Sequence, residues 1–433
     1  MRKTVATLAL LTLALPLNLA ATLAALLRSL LTNTPDPARA TDAKTVLISG
    51  GKMTKALQLA RSFHAAGHRV VLVETHKYRF TGHRFSRAVD RFRVVPSPGT
   101  TGYAEALVRI VGEEGVDVYV PVCSPAASLH DADAKAAIEA AGCEVLHVGP
   151  DAVRTLDDKH AFAASAAALG LPVPDTHRIT DPQQVVDFDF SGREHSYILK
   201  SIAYDPVRRL DLTELPRPTA QETAAFARSL PISEDNPWIL QAFIRGQEFC
   251  THATVRDGEL RVHCCCESSA FQLNYAMVDK PAIEDWVRRF VAGLNLTGQV
   301  SLDFIEAPDG RLYAIECNPR THSAITMFYD HPGLAAAYLD DDGAAVRPLA
   351  TSRPTYWLYY ELWRLLRHPR TAPTRLRTIA RGKDAIFDPR DPLPFLLVHH
   401  LQIPRLLAGN LRRRKDWIRV DFNIGKLVEA AGD

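Results

Sequence analysis

Between positions 45 and 150 the hydrophobic residues fall into two alternating textures. Short, mostly apolar runs at 46–48, 70–73, 116–122 and 144–148 have the length of buried strands. Between them, 54–66 sets Ala56, Leu59, Ala60 and Phe63 at helical spacing, and 103–111 repeats that spacing. Strand, helix and strand in this order make a βαβ unit, so 45–150 is predicted to be a doubly wound parallel-sheet domain ending near Gly149 and Pro150. Beyond Asp151 strands replace crossover helices. Runs at 197–201, 238–243, 248–256 and 259–267 read as strands, the last two joined by Asp257 and Gly258. A further hairpin, 299–306 with 311–317, turns at Asp309 and Gly310. This second unit covers 151–335. The remaining 336–433 is a mixed region, rich in Pro and Arg, with helical stretches at 357–366 and 394–407.

The first 31 residues have neither texture. Positions 4–27 carry no charge and are dominated by Leu and Ala, a run long enough to span a bilayer, which takes roughly 20 apolar residues. Pro16 and Asn18 interrupt it, and no small-x-small site follows a short apolar core. The run therefore reads as a membrane anchor rather than a cleaved signal, and 32–44, with Pro35 and Pro37, reads as a linker that makes it removable. Orientation is not set by charge, since Arg2 and Lys3 precede the run and Arg28, Arg39 and Lys44 follow it.

Charge and cysteine content narrow the partners. The 51 basic and 49 acidic side chains nearly cancel, so no bulk field would hold nucleic acid, and small molecules are the expected partners. Seven cysteines, three of them consecutive at 264–266, form neither a disulfide framework nor a C-x-x-C pair and read as buried small residues in a reducing compartment.

Candidate chemistry comes from the hairpins. With Asp309 and Gly310 as a two-residue loop, cross-strand partners sum to 619, which sets Asp303 opposite Glu316, their Cβ atoms roughly 5 Å apart. Like charges opposed on a buried sheet destabilise it unless a cation lies between them, and hard carboxylate oxygens suit Mg²⁺. Asn318, two residues on, points to the same side and offers a carbonyl oxygen. The same arithmetic on the first hairpin, with partners summing to 515, pairs Glu248 with Glu267, Cys250 with Cys265 and His252 with His263 on a polar face lining a cleft. The two histidines read equally as ligand-lining or as surface residues.

These residues carry a resemblance to the ATP-grasp superfamily over 151–331, clearest in Ile315-Glu316-Cys317-Asn318-Pro319-Arg320. The resemblance implies an ATP-grasp fold after the parallel-sheet domain, with ATP and two Mg²⁺ ions as cofactors. It implies Asp303, Glu316 and Asn318 as metal ligands and Lys159 and Lys200 as grips on the α and β phosphates. The backbone of Gln241, Ala242, Phe243 and Ile244 would read adenine, and Glu248 would take the ribose hydroxyls. The usual glycine-rich lid is replaced by 201–209, which holds no glycine, and there Arg208 and Arg209 are the candidate phosphate donors. Arg320 would stabilise a phosphorylated intermediate. His322 would position a substrate or accept an amine proton, or serve a structural role, and both readings stand.

A narrower resemblance extends over the body. Residues 50–60, 121–125, 320–326 and 421–426 are similar to segments of the ligases that make mycosporine-glycine, whose substrates are 4-deoxygadusol and glycine. Two other classes compete: an oxidoreductase, argued from Gly50-Gly51 after the first strand although no G-x-G-x-x-G is present, and a non-catalytic nucleotide-binding module.

Overall fold

The computed structural model describes residues 1–32, 36–122, 124–203, 205, 207–208, 210–268 and 274–429. It opens with helix α1 (Arg2–Leu31) and then the expected parallel unit: β1 (Thr45–Ile48), α2 (Thr54–Ala65), β2 (Arg69–Thr75), β3 (Arg91–Val95), α3 (Tyr103–Glu114), β4 (Val118–Val120), α4 (Ser128–Ala140) and β5 (Glu144–Val145). Its five parallel strands run in the order β3-β2-β1-β4-β5. Continuous apolar content in β1 and β2 follows from burial on both faces, with Leu47, Val71 and Val73 meeting α3 while Val46, Ile48, Val70 and Leu72 meet α2. Two elements escaped the sequence reading. β3 is an exposed edge strand with alternating arginines, and α4 is Ala- and Asp-rich.

Helices α5 (Pro150–Asp157) and α6 (Lys159–Ala168) lead into two antiparallel sheets. The smaller contains β6 (Thr176–Ile179), β7 (Tyr197–Ser201) and β8 (Trp238–Ala242), in the order β6-β8-β7, flanked by α7 (Pro182–Val186) and α8 (Ala220–Ser229). The larger has β9 (Gln247–Arg256), β10 (Glu259–Glu267), β12 (Gly298–Glu306) and β13 (Leu312–Asn318) in the order β10-β9-β12-β13, with β11 (Asn274–Tyr275) and α9 (Pro281–Gly293) inserted before β12. Ile305 and Tyr313 of the second sheet, with Ala307 of its hairpin loop, pack into the apolar cluster of the first, so the two sheets meet along one shared core.

Both hairpins carry a β-bulge, with opposite consequences. In β12–β13 the loop has three residues, since Ala307 and Arg311 still pair, and Gly310 supplies the left-handed φ of +84° that such a loop needs. Partners near this turn therefore sum to 618. A bulge at Ile315 then restores the expected register, and Asp303 faces Glu316 with Ser301 facing Asn318. In β9–β10 the bulge at Arg261 overturns the expected pairing: Cys266 faces Cys250, Cys264 faces His252 and His263 faces Ala253. His252 and His263 therefore lie on opposite faces. Both are buried, and burial holds His252 well below the ordinary histidine pKa and His263 down at about 4.

The C-terminal region is no appendage. After α10 (Leu334–Leu339), β14 (Thr355–Tyr356), α11 (Leu358–Arg367), α12 (Ala372–Arg381), β15 (Lys383–Asp384), α13 (Leu393–Leu397) and α14 (Ile403–Arg413) comes the hairpin of β16 (Arg419–Asp421) and β17 (Lys426–Val428). Trp357, Phe395, Val398, Leu407, Trp417 and Phe422 share one core with Met53, Leu57 and Phe63 of the first domain. The linker is also pinned, Ala40 donating to the Gly67 carbonyl and Lys44 to that of Leu339. α1 departs from the detached segment expected of 1–31. Leu11 lies in the main core, Thr4 accepts from the Trp417 indole at 3.0 Å, and Asn18 meets Tyr359 Oη at 2.6 Å and His400 Nε2 at 2.7 Å.

Candidate functional site

The larger sheet, the C-terminal hairpin, α1 and α11 enclose a cleft of about 1340 Å³, floored by Glu248, Cys250, Ser301, Asp303, Asn318 and Arg320. β12 and β13 hold Asp303 and Glu316 side by side. Burial first, and then the charges of Glu316, Cys250 and Glu248, push the Asp303 carboxyl well above its ordinary pKa, with Arg320 opposing. Lys159, the first residue of α6, reaches Glu316 at 3.8 Å, and Asp158 caps the helix by accepting from the His160 and Ala161 N–H groups. Lys200 on β7 faces the same acids from the opposite sheet. Burial lowers its pKa, Glu316 opposes that fall and Lys159 adds to it. The expected pair of lysines and pair of acids are thus brought together.

The donor set fits a magnesium site. Among the described residues no group of three or more His, Cys, Asp or Glu side chains is arranged to hold an ion. Mg²⁺ needs only one or two carboxylates when substrate phosphates complete its octahedron. Ser301, two residues before Asp303 on the same face, has a buried hydroxyl with no partner in the protein and lines the cleft. An unpaired buried hydroxyl costs about 1–3 kcal/mol, which a ligand or water at that position would offset.

Other expected residues are placed differently. The Asn318 amide oxygen already accepts from the Arg320 guanidinium, which also meets Asp157 at 3.3 Å, so Arg320 bridges two acceptors at the rim. The N–H groups of Ala242 and Phe243 are spent on the Asp175 and Ser196 carbonyls, and the Gln241 amide on Thr176. An adenine edge there would be read by carbonyl oxygens and by Ile244. Glu248 lines the cleft, accepting from Ser268 at 3.2 Å. Arg208 is exposed and paired at 3.1 Å with Asp205 inside its own loop. Arg209 lies outside the described residues. His322 caps the short helical turn Ser323–Phe328, its Nδ1 accepting from the Ala324 N–H at 3.2 Å. A ring bonded in this way carries its proton on Nε2 and donates there, which suits positioning rather than proton removal.

Sequence reasoning missed the far wall of the cleft. Lys55 is buried and donates to the Thr321 carbonyl at 2.5 Å, while Asn423 donates to Ser323 at 2.7 Å and keeps a buried, unpaired Oδ1. Gly425 sits so close to the 50–54 turn that a Cβ would stand 2.1 Å from the Lys52 carbonyl. Ser128 donates to Pro319, and Ser124 and Pro125 line the same cavity. The segments 50–60, 121–125, 320–326 and 421–426, up to about 370 residues apart, thus converge on one wall. Covered by 421–426, the 50–54 turn has no opening for a dinucleotide, against the oxidoreductase reading.

No family model matches the chain. Comparison with solved structures gives a TM-score of 0.53 to N5-carboxyaminoimidazole synthetase from Staphylococcus aureus complexed with ADP, at 15% identity over 74% of this chain and 82% of that one. A biotin carboxylase domain of a single-chain bacterial carboxylase gives 0.52, at 19% identity over 68% and 66%. This is the ATP-grasp fold. In sequence, the chain is 26% identical over 250 residues to the carbamoyl phosphate synthase large chain of Vibrio cholerae, covering 53% of this chain and 22% of that one. The C-terminal section from Methanopyrus kandleri is 23% identical over 218 residues, 45% of this chain and 38% of that one. The chain thus spans between a fifth and two fifths of these relatives' length.

Proposed function

We propose that the chain is an ATP- and Mg²⁺-dependent ligase that phosphorylates the enolate oxygen of 4-deoxygadusol and joins glycine, giving mycosporine-glycine, ADP and phosphate. The ligase reading is carried by Asp303 and Glu316 standing opposed under Lys159 and Lys200. Bound there, Mg²⁺ would neutralise the charge on the β and γ phosphates during transfer. Lys159 and Lys200 would hold the non-reacting phosphates, and Glu248 the ribose. Arg320, already bridging two oxygens, would move its planar fork to the phosphorylated substrate.

The substrate assignment rests on resemblance in the four segments that form the far wall. A cyclohexenone of this type is a vinylogous acid, so its enolate oxygen takes the γ-phosphoryl group. The glycine amine then adds at that ring carbon, and phosphate leaves with the ring oxygen. The second reading, activation of a carboxylate as an acyl phosphate, draws on the likeness to carbamoyl phosphate synthase and N5-carboxyaminoimidazole synthetase. The membrane reading belongs here too: α1 attaches the chain to a bilayer, with the cleft on the side that contains ATP.

The test is incubation with ATP, Mg²⁺, 4-deoxygadusol carrying ¹⁸O at the reacting ring oxygen, and single amino acids, followed by mass detection. Label in inorganic phosphate and a carbon-nitrogen bond at the ring carbon are expected. Oxygen lost from the amino acid's carboxylate, or an amide product, would sink the mycosporine reading and leave the acyl phosphate one.

A further inference from the structure

Among the described residues α1 is the single helix long and apolar enough to cross a membrane. The fold holds it along the body over its whole length. Lys3 donates to the Trp417 and Ile418 carbonyls at one end, Asn18 bonds Tyr359 and His400 at the middle, and Leu26, Ser29 and Leu30 line a recess with Phe85, Arg87 and Leu393 at the other. The inward stripe is Thr4, Leu11, Asn18, Thr22 and Ala25, spaced largely at heptad intervals. At 3.6 residues per turn, Leu13, Leu27 and Leu31 fall within roughly 25° of the opposite pole and Leu17 within about 65° of it. They are 77%, 75%, 59% and 86% exposed. To cross a bilayer, α1 would have to leave the body and carry Asn18 into hydrocarbon without Tyr359 and His400.

A second surface flanks it. Leu10 of α1 and Trp363, Arg364, Arg367 and Arg375 of α11 and α12 line the mouth of the same cleft. Leu10 and Trp363 are more than half exposed, as are Leu366 and Leu376. Residues 358–381 hold six arginines against one acid, and that acid, Glu361, is fully buried beside Arg364 and Arg375. Arg412, Arg413, Arg414 and Lys415 follow on the approach to Trp417, where α1 begins its contact. In a chain of net charge +2, this is a local concentration of cations interleaved with exposed Trp and Leu.

We propose that α1 lies flat in the interface of an anionic membrane, its leucine face in the acyl boundary and the body serving as its polar side. α11, α12 and the 412–415 cluster then meet acidic lipid headgroups, with the cleft mouth opening at that surface. Exposed apolar patches of this extent mark membrane or protein contacts, and the arginines select a negatively charged surface over a second copy of this equally basic face. The proposal is independent of the reaction catalysed.

It is tested by flotation of the full chain with vesicles of phosphatidylcholine alone or with one quarter phosphatidylglycerol, at low and high salt, followed by alkaline carbonate extraction. Binding about tenfold stronger to phosphatidylglycerol vesicles, weakened by salt and released by carbonate, is expected. Substituting Arg367→Gln, Arg370→Gln, Arg377→Gln and Arg381→Gln, all exposed, should erase the lipid preference, whereas Leu13→Gln with Leu17→Gln should abolish binding to both vesicles. Carbonate-resistant association would show that α1 spans the bilayer. Equal binding to both vesicles at all salt concentrations, or no binding with a dimer seen by light scattering, would equally overturn the proposal.

Discussion

Replacing Asp303 by Asn should separate stability from catalysis, with opposite signs. In the fold the Asp303 carboxyl titrates well above its ordinary value of 3.8, because burial and the facing Glu316 disfavour its charge. An acid with a raised folded pKa subtracts stability as pH rises past the unfolded value, and the deficit is complete above the folded one. Opposed like charges on neighbouring strands cost roughly 0.2–1 kcal/mol. Without Mg²⁺, Asp303→Asn should therefore be more stable than the native chain by up to about 1 kcal/mol at pH 8, with the gap shrinking toward pH 5. With Mg²⁺ and ATP the order reverses, since a neutral amide cannot balance the metal. Losing about 4 kcal/mol of charge stabilisation corresponds to roughly 10³-fold in turnover. Urea midpoints at the two pH values, thermal shifts with Mg-ATP and coupled ADP release read all three effects. A variant that is less stable at pH 8, or one with near-native turnover, would show that the metal lies elsewhere.

Arg320→Lys keeps the charge but loses the fork that joins Asp157 and Asn318, and should lower kcat by about 10²-fold with little change in ATP affinity, measured by ADP release and nucleotide titration. Gly425→Ala forces a Cβ against the Lys52 carbonyl at a φ of +70°, and should destabilise by roughly 1–3 kcal/mol, seen as a lowered thermal midpoint. Burial holds His83 and His263 at about 4 and His399 at about 3, so their neutral forms support the fold above pH 6.5 and that support is lost as pH falls toward 4. Urea midpoints should drop over this window, each histidine adding at most about 1.4 kcal/mol per pH unit. Deleting residues 1–41 uncovers Trp417 and strips Leu11 from the main core, so the truncated chain should melt several degrees lower, and an unchanged midpoint would show that α1 packs without consequence.

The sequence alone determined what depends on local pattern. Unbroken apolar runs and helical spacing exposed the parallel sheet, because a strand buried on both faces has no polar alternation to hide it. Period-two spacing put Asp303 and Glu316 on one face, and the register survived because the bulge at Ile315 compensated the three-residue loop. The bulge at Arg261 had no such compensation, and one inserted residue sent His252 and His263 to opposite faces. Arg320 and Asn318 were legible as types but not as partners, since a mutual hydrogen bond depends on side-chain placement. Tertiary structure decided the rest. Lys55, Ser301 and Asn423 become site residues only when turns hundreds of positions apart close on one wall, which no local spacing encodes. α1 shows the difference most plainly. By composition it is a spanning helix, because a sequence records apolarity without recording what covers it. In the fold Leu11 and Asn18 turn inward, and the protein itself becomes the polar face that the helix lacks.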